Sequence, residues 1–267
     1  MLILKTNVSR KSGASANVQR ALIMPVKLPK KLIQTVGKTL AEFDMLREGD
    51  RVLIGLSGGK DSFTLVHTLL HFKRHAPIHF DIGIATFDPQ MDGFNPLPLR
   101  DYVAKLELPF HYVERPVQAL AKTKLKNDSI CAFCSRMRRG ALYGTARDHN
   151  YNVLALGQHL DDIAESFLLS AFHEGKLNTM KAHYVNDAGD LRIIRPLIHV
   201  RERQLRDFAV SSGFPLILDK CIGEKQRTKR DHMKQLLSEQ EAIHPQLFKS
   251  LKRALIPLMA LTNEETK

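Results

Sequence analysis

Ser57-Gly58-Gly59-Lys60-Asp61-Ser62 follows an apolar run at residues 51–56 and precedes apolar residues at helical spacing, Phe63, Val66, Leu69 and Leu70. The run is short, β-branched in part and led by the turn pair Gly49-Asp50, so it reads as a buried strand. Strand, glycine turn and helix together offer an anion free backbone N–H groups and the positive end of a helix dipole. Gly58 and Gly59 let a phosphate approach the backbone closely. Ser57 and Ser62 add hydroxyls, Lys60 a point charge, and Asp61 a magnesium ligand or a helix cap. The string is not the Gly-x-x-x-x-Gly-Lys-Ser/Thr loop, because Asp61 follows Lys60 and position 54 is isoleucine. Nor is it the dinucleotide pattern Gly-x-Gly-x-x-Gly.

On either side of this loop, strand and helix patterns alternate. Strands are expected at residues 51–56, 78–87, 110–113, 153–156, 193–194 and 216–218. Helices are expected at 30–46, 63–72, 98–106, 161–172 and 201–211, with a helical, basic stretch from 225 onward. Such alternation predicts an α/β fold with a doubly wound parallel sheet. The expected organisation is a basic arm at 1–29, an α/β domain at 30–224 and a basic helical C-terminal appendage at 225–267.

The chain has 267 residues, 43% of them hydrophobic, enough for a core that needs no disulfides. Lys and Arg number 40 against 28 Asp and Glu, a formal charge of +12 that favours a polyanionic partner, nucleic acid first. Residues 1–41 carry no acidic side chain, and a second basic run holds Lys225, Arg227, Lys229 and Arg230. Neither run interleaves aromatics, so phosphate contact is expected there rather than base stacking. No stretch has the length of a membrane span and no cleavable signal is visible, while the acid-poor first residues resemble a presequence as much as a basic arm. An odd count of three cysteines argues for a reducing, cytoplasmic setting.

Gly157-Gln158-His159-Leu160-Asp161-Asp162 follows the strand expected to end at residue 156, so it faces the same crevice as the glycine loop. Asp161 and Glu165 share a helix face and suit either a magnesium site, with Asp161 as ligand, or a helix N-terminus. Lys176 and Arg195 each stand near a predicted element end, where either serves a structural role or neutralises charge developing on the phosphates; with Lys60, Asp61 and Asp161 they are the catalytic candidates.

Cys131-Ala132-Phe133-Cys134 and the distant Cys221 complete the chemistry-bearing residues. Three thiolates suit a structural zinc if a histidine joins them, or an iron–sulfur cluster with one iron lacking a protein ligand. Arg136, Arg138 and Arg139 follow the pair and are expected to lower thiolate pKa values and to receive RNA phosphates.

Ser-Gly-Gly-Lys-Asp-Ser, then residues 131–140 (Cys-Ala-Phe-Cys-Ser-Arg-Met-Arg-Arg-Gly), then Gly-Gln-His-Leu-Asp-Asp, then Ile194-Arg195-Pro196-Leu197 resemble the tRNA 2-thiocytidine synthetase family of pyrophosphate-loop (HUP-like) ATPases. The resemblance spans residues 30–257. It implies cleavage of ATP to AMP and pyrophosphate with Mg²⁺, and replacement of the C2 oxygen of an anticodon-loop cytidine by sulfur. It further implies a [4Fe-4S] cluster on Cys131, Cys134 and Cys221, tRNA and a cysteine desulfurase as partners, no membrane, and a homodimer. Gln158 stands where the family commonly has histidine. Two readings compete: a lysidine-synthetase-like ligase, which has no use for the cysteines, and a nonenzymatic RNA-binding protein with structural zinc, which leaves the phosphate loop idle.

Overall fold

Parallel pairing of β1 (Asp50–Gly55) with β2 (Phe80–Asp88) on one side and β4 (Val153–Ala155) on the other sets the centre of the structure. The computed structural model describes residues 26–91, 94–124, 130–217 and 228–260. Its six-stranded sheet has the order β3-β2-β1-β4-β6-β5, with β3 (Phe110–Glu114), β5 (His183–Val185) and β6 (Arg192–Ile194). All pairings are parallel except that of the edge strand β5 with β6. The order reverses between β1 and β4, and in an open α/β sheet a ligand crevice forms at the carboxyl ends of the strands at that point.

Helices cover both faces: α1 (Lys30–Glu42), α2 (Lys60–His75), α3 (Leu97–Lys105), α4 (Val117–Lys124), α5 (Ile130–Asp148), α6 (Leu160–His173) and α7 (Glu202–Ser212). The pleat sorts the side chains of β1. Val52 and Ile54 join the large core with α1, α2, α6 and α7, whereas Leu53 faces Leu142 and Ala146 of α5. Burial on both faces explains the continuous apolar runs of the sequence. Two C-terminal helices, α8 (Lys229–Ile243) and α9 (Leu247–Ala260), send Leu237, Phe248, Leu255 and Met259 into that large core, so the expected appendage is continuous with the domain.

Three elements were not foreseen: α4, α5 and β5. The strand expected at 216–218 does not join the sheet. Leu216 and Ile217 run beside the glycine loop, where the Ile217 N–H donates to Gly58 O at 3.0 Å, and residue 218 lies outside the described residues. Most of the expected arm, residues 1–25, also lies outside them. Among the described residues no helix is long and apolar enough to cross a membrane.

The α5 face is fitted to the sheet at Gly83. A Cβ built there would lie 1.9 Å from the Tyr151 hydroxyl oxygen, so the strand needs glycine where Tyr151 crosses it. That hydroxyl is engaged by His111 Nε2 at 3.0 Å. Gly83→Ala is expected to destabilise the protein by about 1–3 kcal/mol, the range for forcing extra atoms into a packed interior. Urea denaturation checks it. The same substitution in a Tyr151→Ala background should cost less, and an equal cost would disprove the steric account.

Candidate functional site

Leu56 leaves β1 with its N–H donating to Ala85 O (2.8 Å), and the chain then turns through Ser57, Gly58 and Gly59 into α2. Gly58 has φ +86°, and a Cβ there would meet Ile217 Cβ at 2.9 Å, so backbone conformation and close approach both require glycine. Gly59 is the N-cap of α2 and makes no side-chain cap hydrogen bond, which leaves the first-turn N–H groups available to an anion. The loop is braced from within: Ser62 Oγ donates to Gly59 O at 2.9 Å, and Ser57 Oγ lies 3.2 Å from Ser62 Oγ.

The facing wall is the segment after β4. A Cβ on Gly157 would lie 3.3 Å from the carbonyl carbon of Asp61 and 3.4 Å from Ser62 N, so the two loops touch backbone to backbone. His159 caps α6 in a reciprocal pair with Asp162. Its Nδ1 accepts the Asp162 N–H at 3.4 Å, and Asp162 Oδ2 accepts the His159 N–H at 3.0 Å. Between the walls lies a cleft of about 260 Å³, lined on its polar side by Ser57, Asp61, Ser62, Gln158, Asp162, Arg138 and Arg230. Phe87, Pro89, Phe94, Leu142 and Met180 make its apolar side.

Asp61 gives the clearest sign of what the cleft accepts. Its Oδ1 is buried without a hydrogen-bond partner among the described residues, and burial raises its pKa against the pull of His159 and Lys60. A carboxylate oxygen left open beside an uncapped helix start suits a hard cation carried in on phosphate oxygens. Lys60 Nζ bridges Asp61 (3.2 Å) and Glu202 (3.1 Å), and Glu202 is also held by Lys234 at 2.8 Å. Burial alone would raise the Glu202 pKa. Hydrogen bonds from Lys234 and Lys60 outweigh it and hold the carboxyl at about 2, below its ordinary 4.5.

The structure gathers Ser57, Gly58, Gly59, Lys60, Asp61, Ser62 and Gly157 as expected from the sequence, and it redistributes the others. Asp161 turns out of the cleft: Arg201 grips it with Nη2 at 3.1 Å, and Glu202 N donates to its Oδ2 at 2.7 Å. Its neighbour Asp162 lines the cleft instead, with Oδ1 bound by Arg230 at 2.6 Å. Adjacent helical residues point about 100° apart, so one of the two must face away. Glu165 accepts from Arg230 Nε at 2.7 Å. Arg195 is 8% exposed and stands behind the cleft wall, donating to Gln158 Oε1 (3.1 Å) and Lys181 O (2.6 Å). Lys176 is exposed and does not line the cleft.

Arg138, expected on RNA, lines the cleft, and Arg230, noticed only as part of a basic run, is built into it. Cys134 is buried on α5 among Phe133, Val117 and Ala121. The side chain of Cys131, and Cys221, Lys225 and Arg227 altogether, lie outside the described residues. Among the described residues no three His, Cys, Asp or Glu side chains are grouped to hold a metal.

The PP-loop domain family matches residues 28–241. The tRNA-cytidine(32) 2-sulfurtransferase of Aeromonas hydrophila subsp. hydrophila is 39% identical over 220 residues, covering 82% of this chain and 73% of that protein. The protein of the same description from Methylococcus capsulatus is 37% identical over 220 residues, covering 82% and 76%. Among solved structures, the U34-tRNA thiolase NcsA from Methanococcus maripaludis with its [4Fe-4S] cluster superposes with a TM-score of 0.70 at 22% identity. That match covers 86% of this chain and 78% of that chain. At this identity the likeness is one of fold.

Glu202 offers a test of the charge network beside the loop. A carboxyl held at about 2 stabilises the folded chain above pH 4.5 and loses that contribution as pH falls toward 2. Glu202→Gln should therefore cost about 1–3 kcal/mol at pH 7, the worth of hydrogen bonds to charged groups. Urea unfolding should show the gap narrowed at pH 3 relative to pH 7; an equal loss at both values would contradict the assignment.

Proposed function

Because this chain belongs to the PP-loop domain family, and within it to the tRNA-cytidine(32) 2-sulfurtransferases, we propose that it uses ATP to thiolate a cytidine of the tRNA anticodon loop. The observation that carries this reading is the course of α5. Cys134, Arg138 and Leu142 follow at successive turns, and the last two line the cleft of the glycine loop. A helix rises about 6 Å over four residues, so the cysteine pair begins one turn from the nucleotide cleft. Neither amine ligation nor a remote structural zinc calls for that proximity.

In this reading the uncapped start of α2 and the Ser57 and Ser62 hydroxyls hold the phosphates, and Lys60 and Arg138 balance their charge. Asp61 and Asp162 would hold Mg²⁺, which would neutralise phosphate charge, and the apolar side of the cleft takes the adenine ring. The cytidine C2 oxygen attacks the α-phosphorus, and the bond to pyrophosphate breaks as pyrophosphate leaves. A sulfur nucleophile then adds at C2, and the former carbonyl oxygen departs with AMP. Cys131, Cys134 and Cys221 would hold a [4Fe-4S] cluster, which supplies an iron able to bind sulfur because one site lacks a protein thiolate. Arg136, Arg139, Lys225 and Arg227 contact tRNA phosphates and Arg195 fixes Gln158. A cysteine desulfurase supplies the sulfur as a persulfide, and a dithiol reductant, itself oxidised to a disulfide, brings it to the sulfide level that adds at C2. The protein works in the cytoplasm as a homodimer.

Anaerobic purification followed by assay of iron, sulfide and zinc tests the sulfur half. Wild type should carry iron and acid-labile sulfide, and Cys131→Ala, Cys134→Ala and Cys221→Ala should each lose them. Mass spectrometry of tRNA nucleosides should find 2-thiocytidine only with ATP and wild-type protein. Asp61→Asn should slow AMP release by about 10²–10³-fold, as for loss of one preorganised electrostatic group. Zinc without sulfide, and tRNA without 2-thiocytidine, would overturn the proposal.

A further inference from the structure

A second depression of about 560 Å³ lies on the other side of α5, between that helix and the edge strand β3. Its walls are Tyr112 and Arg115 on one side and Arg136 on the other, and its floor is the helix face at Gly140 and Gly144. A Cβ at either glycine would meet no atom within 4 Å, so the floor is bare backbone open to whatever lies in the groove. Against the two arginines the lining has one carboxylate, Asp148. At the far end the His111 and His149 rings pack at a tilt of 31° with centroids 3.9 Å apart. Burial lowers the His111 pKa, so the groove does not draw its charge from that ring at neutral pH.

Tyr112 is 39% exposed, and its hydroxyl is fixed by a hydrogen bond to Asp88 Oδ2. Phe110 lies alongside with ring centroids 6.5 Å apart, so a partly exposed aromatic pair lines the groove, and stacking on such a pair tolerates any base. The groove and the nucleotide cleft are linked through neighbouring residues of β2, β3 and α5. Arg115 N donates to Asp88 O at 2.9 Å, and Pro89, the next residue, lines the cleft; on α5, Arg136 faces the groove and Arg138 the cleft.

We infer that the β3–α5 groove binds an unpaired RNA strand adjoining the nucleotide that enters the cleft, with Arg115 and Arg136 on its phosphates and Tyr112 beneath a base. This rests on the proposed tRNA thiolation for the identity of the RNA, and on the groove's own chemistry for its site. The bare floor admits a chain with bulky bases, the cations match a phosphate backbone, and the aromatic face distinguishes a strand with unstacked bases from a duplex.

Fluorescence anisotropy with a labelled unpaired RNA oligonucleotide, and with tRNA, tests it. Gly144→Glu fills the floor with an anion and should weaken binding of both by about tenfold or more, the size of effect seen when a contact to charged phosphate is opposed. Gly144→Lys, similar in bulk and opposite in charge, should weaken it less. Arg115→Ala should weaken binding and make the salt dependence shallower by about one ion. Tyr112→Leu should weaken the oligonucleotide several-fold, and ATP affinity should stay at the wild-type value in all four. Gly144 is an open helical position, so its substitutions leave the fold intact.

Unchanged RNA affinity in Gly144→Glu and Arg115→Ala, with wild type binding RNA, would overturn the groove and leave thiolation standing. Groove-dependent RNA binding by a wild type that makes no 2-thiocytidine would overturn the function and leave the groove. A change from dimer to monomer in Gly144→Glu with RNA affinity intact would assign the face to a second copy of the chain and overturn the inference.

Discussion

The backbone contact between Gly157 and the first turn of α2 is the constraint on which the cleft depends. Two loops that leave adjacent parallel strands meet there with no side chain between them. One wall is then the start of α2 and the other the start of α6, so two helix N-termini face one small volume. A Cβ at position 157 would lie 3.3 Å from the Asp61 carbonyl carbon and press on the first turn of α2. Gly58 belongs to the same arrangement, since its positive φ and its contact with Ile217 hold the loop from the opposite side.

Around this contact the charges form two chains that bind the C-terminal helices to the cleft. One runs from Asp61 through Lys60 and Glu202 to Lys234, the other from Asp162 through Arg230 to Glu165. The first ends on α8 at Lys234 and the second passes through it at Arg230 before returning to α6, against which α8 also packs. α8 is therefore part of the electrostatics of the site. A ligand that draws Asp61 or Asp162 toward a cation must compete with Lys60 or Arg230, and α8 takes part in each exchange.

Much of the α/β frame is legible in the sequence because strands buried on both faces are written as apolar runs. The loop is legible because its glycines have conformational work that no other residue does. α5 is hard to read because residues 130–148 mix Cys, Arg and Gly with few large apolar residues, and its contacts with the sheet are split between two clusters, Leu142 and Ala146 in one and Phe133, Cys134 and Ala141 in the other. β5 is three residues long and antiparallel, too short to carry a period. The choice between Asp161 and Asp162 depends on a helix rotation that two identical neighbours cannot encode. Arg138 and Arg230 show the limit of reading charge by composition, since a basic run names its residues without saying which one turns inward.

α5 is also divided in what holds it. The half with Leu142 and Ala146 lies on the sheet among Leu53, Leu154 and Ile193. The half with Phe133 and Cys134 shares a smaller cluster with Phe87 of β2 and with Val117 and Ala121 of α4. That cluster buries fewer apolar side chains than the large core, so less holds it closed. α4 and the first turns of α5 thus form a natural unit of local opening, distinct from the globally protected centre of the sheet. Heat or mild denaturant would uncouple the thiol-bearing turns while β1, α2 and the glycine loop keep their shape. The partly opened protein would keep the walls of the cleft while losing the packing around Cys134.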